Sequence, residues 1–306
     1  MTTARIALAT CSSLPDLEAD DAPLIPALAA RGVGAEPVVW DDPSVDWSVY
    51  DAVVIRSTWD YTGRPAEFLD WTRRVESVTR LFNPASVIAW NTDKVYQRAL
   101  ESAGLPIVPT IWLDPEQNYD SRRVHSRFPA FGDFVIKPTI SAGSRDTGRY
   151  EAGVTPQRSM AITHAKNLLS AGRHVMIQRY LRNVDSAGES ALVFFNGELS
   201  HTLRKGPLLD GPFRPGESEG VLYKDEVMTV REPSADELDV AQRVVAALPD
   251  LVPGVDGPLL YTRVDLIPDD EGNPVVLELE VIEPSFFFTL VPEAVERYAD
   301  AIVARL

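Results

Sequence analysis

Tyr261-Thr262-Arg263-Val264-Asp265-Leu266-Ile267 and Val275-Val276-Leu277-Glu278-Leu279-Glu280-Val281 flank the turn-forming run Pro268-Asp269-Asp270-Glu271-Gly272-Asn273. Two alternating apolar runs around such a segment read as a β-hairpin. Side chains alternate along a strand, so residues 261, 263 and 265 share one face, and Glu278 and Glu280 share another. If the turn centres on Glu271-Gly272, Asp265 lies opposite Glu278 and Arg263 opposite Glu280. Two bare carboxylates about 4 Å apart repel by roughly 4 kcal/mol at an effective dielectric of 20. A divalent cation offsets that repulsion, and a set of oxygen donors suits Mg²⁺ or Mn²⁺. The plain alternative is that Glu278 and Glu280 form the solvated face of an edge strand. Arg263-x-Asp265 on the partner strand argues against it.

Upstream of the hairpin, Ala191–Phe195 and Glu198–Lys205 read as strands around Asn196-Gly197, the strongest short turn signal. Arg204-Lys205 ends the second strand, and residues 206–220 read as a long loop. Asp236–Leu248 is helical. A last helix starts at Pro292, with its apolar positions on one face. Phe134–Lys137 is a strand that ends in a lysine. The flexible run Ser141–Tyr150 follows it, with Gly143, Ser144 and Gly148. Such a run can fold over phosphates while the lysine supplies charge. It is not a Walker A loop, because no G-x-x-x-x-G-K-[ST] is present. Asn91–Ala103 reads as one helix, capped by Asn91 or Thr92 and stopped by Gly104, with Lys94 near its start.

The first 80 residues alternate strand and helix. Ile6–Thr10, Ala35–Trp40 and Tyr50–Arg56 are strands. Pro65–Val78 is a helix, and an earlier helix capped by Asp20 or Asp21 ends at Arg31-Gly32. The pattern predicts a parallel α/β unit. Ligands collect at the carboxyl ends of such strands. Those ends hold Cys11 and Ser57-Thr58-Trp59-Asp60-Tyr61, which are the candidate residues for an organic substrate.

The chain has 306 residues and a formal charge of −16. That balance argues against nucleic acid or an anionic membrane as a partner, since both need a basic footprint. The single cysteine, Cys11, excludes an intrachain disulfide and a cysteine zinc site. With no signal-peptide pattern and no transmembrane-length apolar run, the expectation is a cytoplasmic protein.

Taken in order, these pieces resemble the ATP-grasp superfamily over nearly the whole chain. Asn91-Thr92-Asp93-Lys94 resembles the segment bearing the first ATP lysine, and Phe134-Val135-Ile136-Lys137-Pro138 the strand bearing the second. Met176-Ile177-Gln178-Arg179-Tyr180-Leu181 resembles the adenine hinge. Arg263-x-Asp265 and Glu278-x-Glu280 resemble the metal strands, with Glu280 where the family commonly has Asn. The resemblance is to the glutathione-synthetase and RimK-like group, and within it to the branch containing the cycloserine-forming cyclo-ligase.

The resemblance implies an α/β and α+β architecture in three parts. Residues 1–90 would form a Rossmann-like substrate domain, 91–178 a central lid, and 179–306 a C-terminal ATP and metal domain. It implies ATP and Mg²⁺ (or Mn²⁺) as cofactors. Lys94, Lys137, Ser144, Gln178, Tyr180, Leu181 and Arg204 would bind nucleotide, with Asp185 or Glu189 at the ribose. Asp265, Glu278 and Glu280 would bind metal, and Arg263 and Lys205 would be catalytic. Arg145 would join Cys11, Ser57, Thr58, Trp59 and Asp60 around a small amino-acid-like carboxylate. The activity implied is carboxylate activation to an acyl phosphate, then cyclisation of a derivative such as O-ureido-serine. The alternatives are an intermolecular amino-acid ligase and a non-catalytic nucleotide-binding module. A homodimer is also admitted.

Overall fold

The structure is a computed structural model that describes residues 4–207, 209, 211–214 and 227–306. Much of the expected 206–220 loop therefore lies outside the described residues.

In chain order the first part holds β1 (Ala4–Thr10), α1 (Leu24–Ala29), β2 (Val33–Val39), β3 (Ala52–Ser57), α2 (Pro65–Glu76), β4 (Arg80–Phe82) and α3 (Ala85–Asn91). Its sheet is parallel, in the order β2-β1-β3-β4. Both faces are covered, as parallel sheets require. Ile6 and Leu8 pack toward Leu24, Leu28 and Tyr298, while Ala7 and Ala9 pack toward Trp40, Phe68 and Trp71.

The second part holds α4 (Tyr96–Ser102), β5 (Thr110–Leu113), α5 (Ser121–His125), β6 (Asp133–Pro138), β7 (Gly148–Glu151), α6 (Thr155–Ser170) and β8 (Val175–Arg179). Its antiparallel sheet runs β5-β8-β6-β7. The third part holds α7 (Val184–Ala187), β9 (Glu189–Phe195), β10 (Glu198–Lys205), β11 (Met228–Val230), α8 (Ala235–Leu251), β12 (Tyr261–Pro268), β13 (Pro274–Glu280) and α9 (Glu293–Val303). Its sheet runs β11-β10-β9-β12-β13. No helix among the described residues is long and apolar enough to cross a membrane.

The register across β12 and β13 is the expected one. Arg263 faces Glu280 and Asp265 faces Glu278, with an irregularity just after Asp265. The β9–β10 turn has positive φ at both Asn196 (50°) and Gly197 (84°), the backbone that Asn-Gly favours. Ser234 and Glu237 form a capping box that starts α8.

Three expectations are corrected. Residues 91–103 are two helices, not one. Asn91 ends α3, and Lys94 sits in the break, its N–H donating to Thr139 O at 3.0 Å. Asp20 and Asp21 do not cap α1, whose N-cap is Pro23 with no side-chain bond. Asp20 instead accepts the Phe288 and Thr289 N–H groups at 2.8 and 2.6 Å, and Asp21 pairs with Arg56. The short β4 also completes the first sheet, where the sequence suggested only three strands.

Candidate active site

The three sheets meet around one cleft of about 650 Å³. Lys94 and Lys137 enter it from the second part. The Lys94 Nζ donates to Ser141 O at 2.6 Å and pairs with Glu278 at 3.0 Å. Lys137, near the end of β6, is buried and makes no ion pair among the described residues. Burial pushes its ammonium down to about 8, against the pull of Glu278. Ser141, Ala142, Gly143 and Ser144 line the same side, where Gly143 and Ser144 both have positive φ.

A narrow apolar slot lies beside the lysines. Val108, Val135, Leu181, Ile267 and Leu277 form its walls. Gln178, Arg179, Tyr180 and Leu181 line its edge, where β8 leaves the sheet. The Arg149 guanidinium covers the Tyr180 ring at 3.6 Å, and the Tyr180 hydroxyl donates to Asp185.

The hairpin face supplies the charged floor. Arg263 spans it: Nε and Nη2 reach Asp265 at 2.9 and 3.0 Å, Nη2 also meets Glu280, and Nη1 donates to Ser285 O at 3.1 Å. Lys205 pairs with Asp265 at 2.9 Å and with Glu189. Asp265 is almost fully buried. Burial works against its charge, but Arg263 and Lys205 win and hold its carboxyl well below the usual range. Glu278 is likewise held low, because Lys94 and Lys137 outweigh burial. Burial pushes Glu280 and Glu189 upward, to about 7 and about 8.

Asp265, Glu278 and Glu280 thus share the cleft, yet no group of three potential metal ligands stands together among the described residues. Both Asp265 oxygens are engaged by Arg263 and Lys205, a competition that sequence spacing does not reveal. Glu278 and Glu280 face the cleft with ion pairs at one oxygen each. Their hard oxygen donors fit a divalent cation, and Asp265 joins such a set only by giving up a lysine or arginine contact.

The other expected residues separate. Glu189 lines the cleft, whereas Asp185 lies outside it with Tyr180 and, at 3.6 Å, Arg149. Lys205 faces the cleft. Arg204 turns outward and caps α7, donating to Ser186 O at 2.8 Å and to Ala187 O. Of the expected substrate residues Trp59 and Tyr61 line the cleft. Cys11 is buried in the first core, with its Sγ 3.1 Å from Ser13 Oγ. Ser57 bonds Asp21 at 3.2 Å, and Thr58 is buried. Arg145 reaches across to Thr62 at 3.5 Å.

Asp60 is tied down within its own domain, accepting Trp40 Nε1 at 2.9 Å and Arg64 Nη2 at 2.7 Å. Asp60→Ala therefore lowers stability by about 1–2 kcal/mol, chiefly by orphaning the Trp40 donor. Its substrate KM and ATP KM stay within twofold of wild type. Chemical denaturation and paired steady-state titrations check this, and a tenfold rise in substrate KM would return Asp60 to the site.

The sequence reading missed further residues that line the cleft: Glu18, Glu283, Ser285, Phe287 and Thr289. They come from two loops more than two hundred residues apart, so no local pattern marks them. Trp59 Nε1 ties its own segment to the second of them by donating to Glu283 O at 3.1 Å.

The relatives of this chain show the class: it is an ATP-dependent ligase of the ATP-grasp fold. Residues 6–83 match the family described as D-cycloserine synthetase DcsG, N-terminal domain. The cycloserine biosynthesis protein DcsG of Streptomyces lavendulae is 37% identical over 300 residues, 96% of each chain. The chain belongs to that family. A crystal structure of D-cycloserine synthetase DcsG superposes with a TM-score of 0.86 at 35% identity, covering 98% of this chain and 99% of that one. The fold extends to the D-alanine–D-alanine ligase of Bacillus anthracis complexed with ATP. There the TM-score is 0.67 at 14% identity, with 99% and 97% coverage.

Proposed function

We propose that this enzyme uses ATP to activate the carboxylate of an amino-acid derivative, releasing ADP, and closes the product into a ring. O-ureido-serine is the proposed substrate and cycloserine the product. ATP phosphorylates the substrate carboxylate. The oxygen-bound nitrogen then attacks the acyl carbon and phosphate leaves with the bonding pair. Hydrolysis removes the ureido carbon. The observation that carries this reading is the cleft itself, which sets Lys94, Lys137, Lys205 and Arg263 against Glu189, Asp265, Glu278 and Glu280.

In this reading the Val108–Ile267 slot holds adenine, with the chain at Gln178–Leu181 reading its edge. Lys94 and Lys137 neutralise phosphate, and the backbone around Ser144 folds over it. Glu189 is the cleft-facing candidate for the ribose end or for orienting Lys205. Arg263 stabilises negative charge that develops on the transferred phosphoryl group and the acyl oxygen. Glu278 and Glu280 would hold Mg²⁺. When bound, the ion supplies charge neutralisation between phosphate oxygens. No covalent enzyme nucleophile is required, and catalysis is positioning plus electrostatics.

The test is ADP release with O-ureido-serine as the only organic substrate, with mass detection of a cyclised product. Dependence on a second amine would instead identify an intermolecular ligase. No ADP release with any amino-acid-like carboxylate would overturn the assignment.

Lys137 carries a pH signature. Its ammonium must be charged to meet phosphate, and in the free protein it loses its proton at about 8. ATP affinity is then flat below that pH and falls by up to tenfold per pH unit above it, because binding must take up a proton. Lys137→Arg, charged at every accessible pH, flattens the profile. Lys137→Ala loses about 1.5–3 kcal/mol of ATP binding at pH 7. Nucleotide titration across pH 6.5–9.5 checks all three. A wild-type profile flat to pH 9.5, or an alanine variant within twofold of wild type, would remove Lys137 from the phosphate site.

A further inference from the structure

We propose that Glu283, a cleft-lining residue tied to the first part of the fold through Trp59, is the residue that receives the ammonium group of the organic substrate. The assignment rests on the proposed carboxylate-activating reaction and names how its substrate is recognised. The nucleobase slot and the lysines occupy one end of the cleft, and Arg263 with Glu280 marks its reacting centre. The remaining end is lined by Trp59, Tyr61, Glu283, Phe287 and Thr289, with Glu18 and Asp20 at its rim.

Three carboxylates face that end, and their partners separate them. Asp20 is spent, because its two oxygens accept the N–H groups of Phe288 and Thr289. Glu18 is partly spent, since Oε2 accepts the Asp20 N–H at 2.6 Å. Glu283 lines the cleft, its backbone carbonyl accepts Trp59 Nε1 at 3.1 Å, and its carboxylate makes no ion pair with any lysine or arginine among the described residues. Its surroundings add negative charge, with Glu280 foremost, and burial pushes its carboxyl up to about 8. A cation arriving at Glu283 relieves that imbalance.

The position fits an α-amino acid. An ammonium group sits one carbon from the carboxylate that reacts. Glu283 lies three residues beyond Glu280, so the chain separates them by at most about 10 Å. The loop is also held in an uncommon shape. Phe287, a bulky residue, has φ +58°, and its ring lies under the Arg263 guanidinium at 5.5 Å. Such backbone is retained where the surroundings over-determine it, often around ligands. Tyr61 is fixed in turn by stacking on Phe68 at a ring separation of 4.5 Å. The backbone of Glu283 is thus tied to the first part of the fold through Trp59, which precedes Tyr61 on the same segment.

The experiment compares the α-amino substrate that drives ADP release with its des-amino analogue. Wild type should favour the amino compound at least 100-fold in kcat/KM. Glu283→Gln, nearly isosteric, should shrink that preference below tenfold, chiefly through KM, and leave the ATP KM within twofold. Glu283→Asp should give an intermediate preference, and it carries the same readout if the glutamine variant folds poorly. Full wild-type preference in both variants overturns the proposal while the ligase reading stands. So does loss of the preference in Glu18→Gln instead, or a wild type that ignores the amino group. A wild type that releases no ADP with any amino-acid carboxylate overturns the ligase reading, and this assignment with it.

Discussion

Arg263→Lys is expected to retain the fold and lose on the order of 10²–10³-fold in kcat, the effect of removing one preorganised donor from a charge-stabilising site. The guanidinium does three things at once: it forks onto Asp265, meets Glu280 and donates to Ser285 O. Lysine keeps the charge but is a point donor on a flexible stem, so it cannot reproduce that planar set. The surviving charge should still prevent Asp265 and Glu280 from facing each other bare, which limits the stability loss. An alanine variant lacks that safeguard and confounds activity with folding. Single-turnover ADP formation at saturating substrates, read beside a thermal melt, separates the two effects. A kcat within tenfold of wild type would mean that Arg263 serves only to organise the loop at Ser285. Nucleotide affinity should change much less than kcat, because Lys94 and Lys137 lie on other elements.

The hairpin around Gly272 was readable because its information is local. Alternation fixed the faces of 261–265 and 278–280, and the turn residues fixed their register. Lys137 stands at a strand end that the sequence marks, whereas Lys94 was placed near a helix start and the break that holds it was not legible. Asp20 and Asp21 were misread because acidic residues just before a helix usually cap it. Here their partners lie 35 residues away at Arg56 and 268 residues away at Phe288. Asp60 was misread in the same way. The strand-end rule puts ligands near it, but Arg64 one helical turn on claims its carboxylate first. Tyr61 carried only the strand-end signal and Glu283 no signal of a site, since their pocket exists only where two distant loops touch. The hairpin register that brings Asp265 opposite Glu278 and Arg263 opposite Glu280 is as expected. The hold of Lys205 on Asp265 depends on β9 pairing with both β12 and β10, which no spacing within the hairpin can show.

Asp21→Asn should cost about 3–5 kcal/mol of stability, the penalty for stranding a buried charge. Arg56 is only 1% exposed and lies between the first sheet and the C-terminal part. Asp21 holds it at 2.7 Å, Pro284 O accepts Nη2 at 3.0 Å, and its guanidinium carbon lies 4.0 Å from the Phe286 ring centre. Removing the carboxylate charge leaves a cation that can neither reach water nor lose its proton. For a chain of this size each kcal/mol shifts Tm by about 2–4 °C, so the melt should move by roughly 6–20 °C. Arg56→Met alone should also destabilise, because it leaves Asp21 buried without a cation. The double variant Asp21→Asn, Arg56→Met should recover much of the loss, since neither charge remains stranded and methionine can pack on Phe286. That non-additivity is the decisive readout, and strictly additive single losses would mean the pair is not one unit. The pair also bears on function. Arg56 grips the carbonyl of Pro284, the residue after Glu283, so its loss should loosen the Glu283–Thr289 loop before it unfolds the protein. Organic-substrate KM should therefore rise in the single variants at temperatures well below the melt, while ATP KM holds.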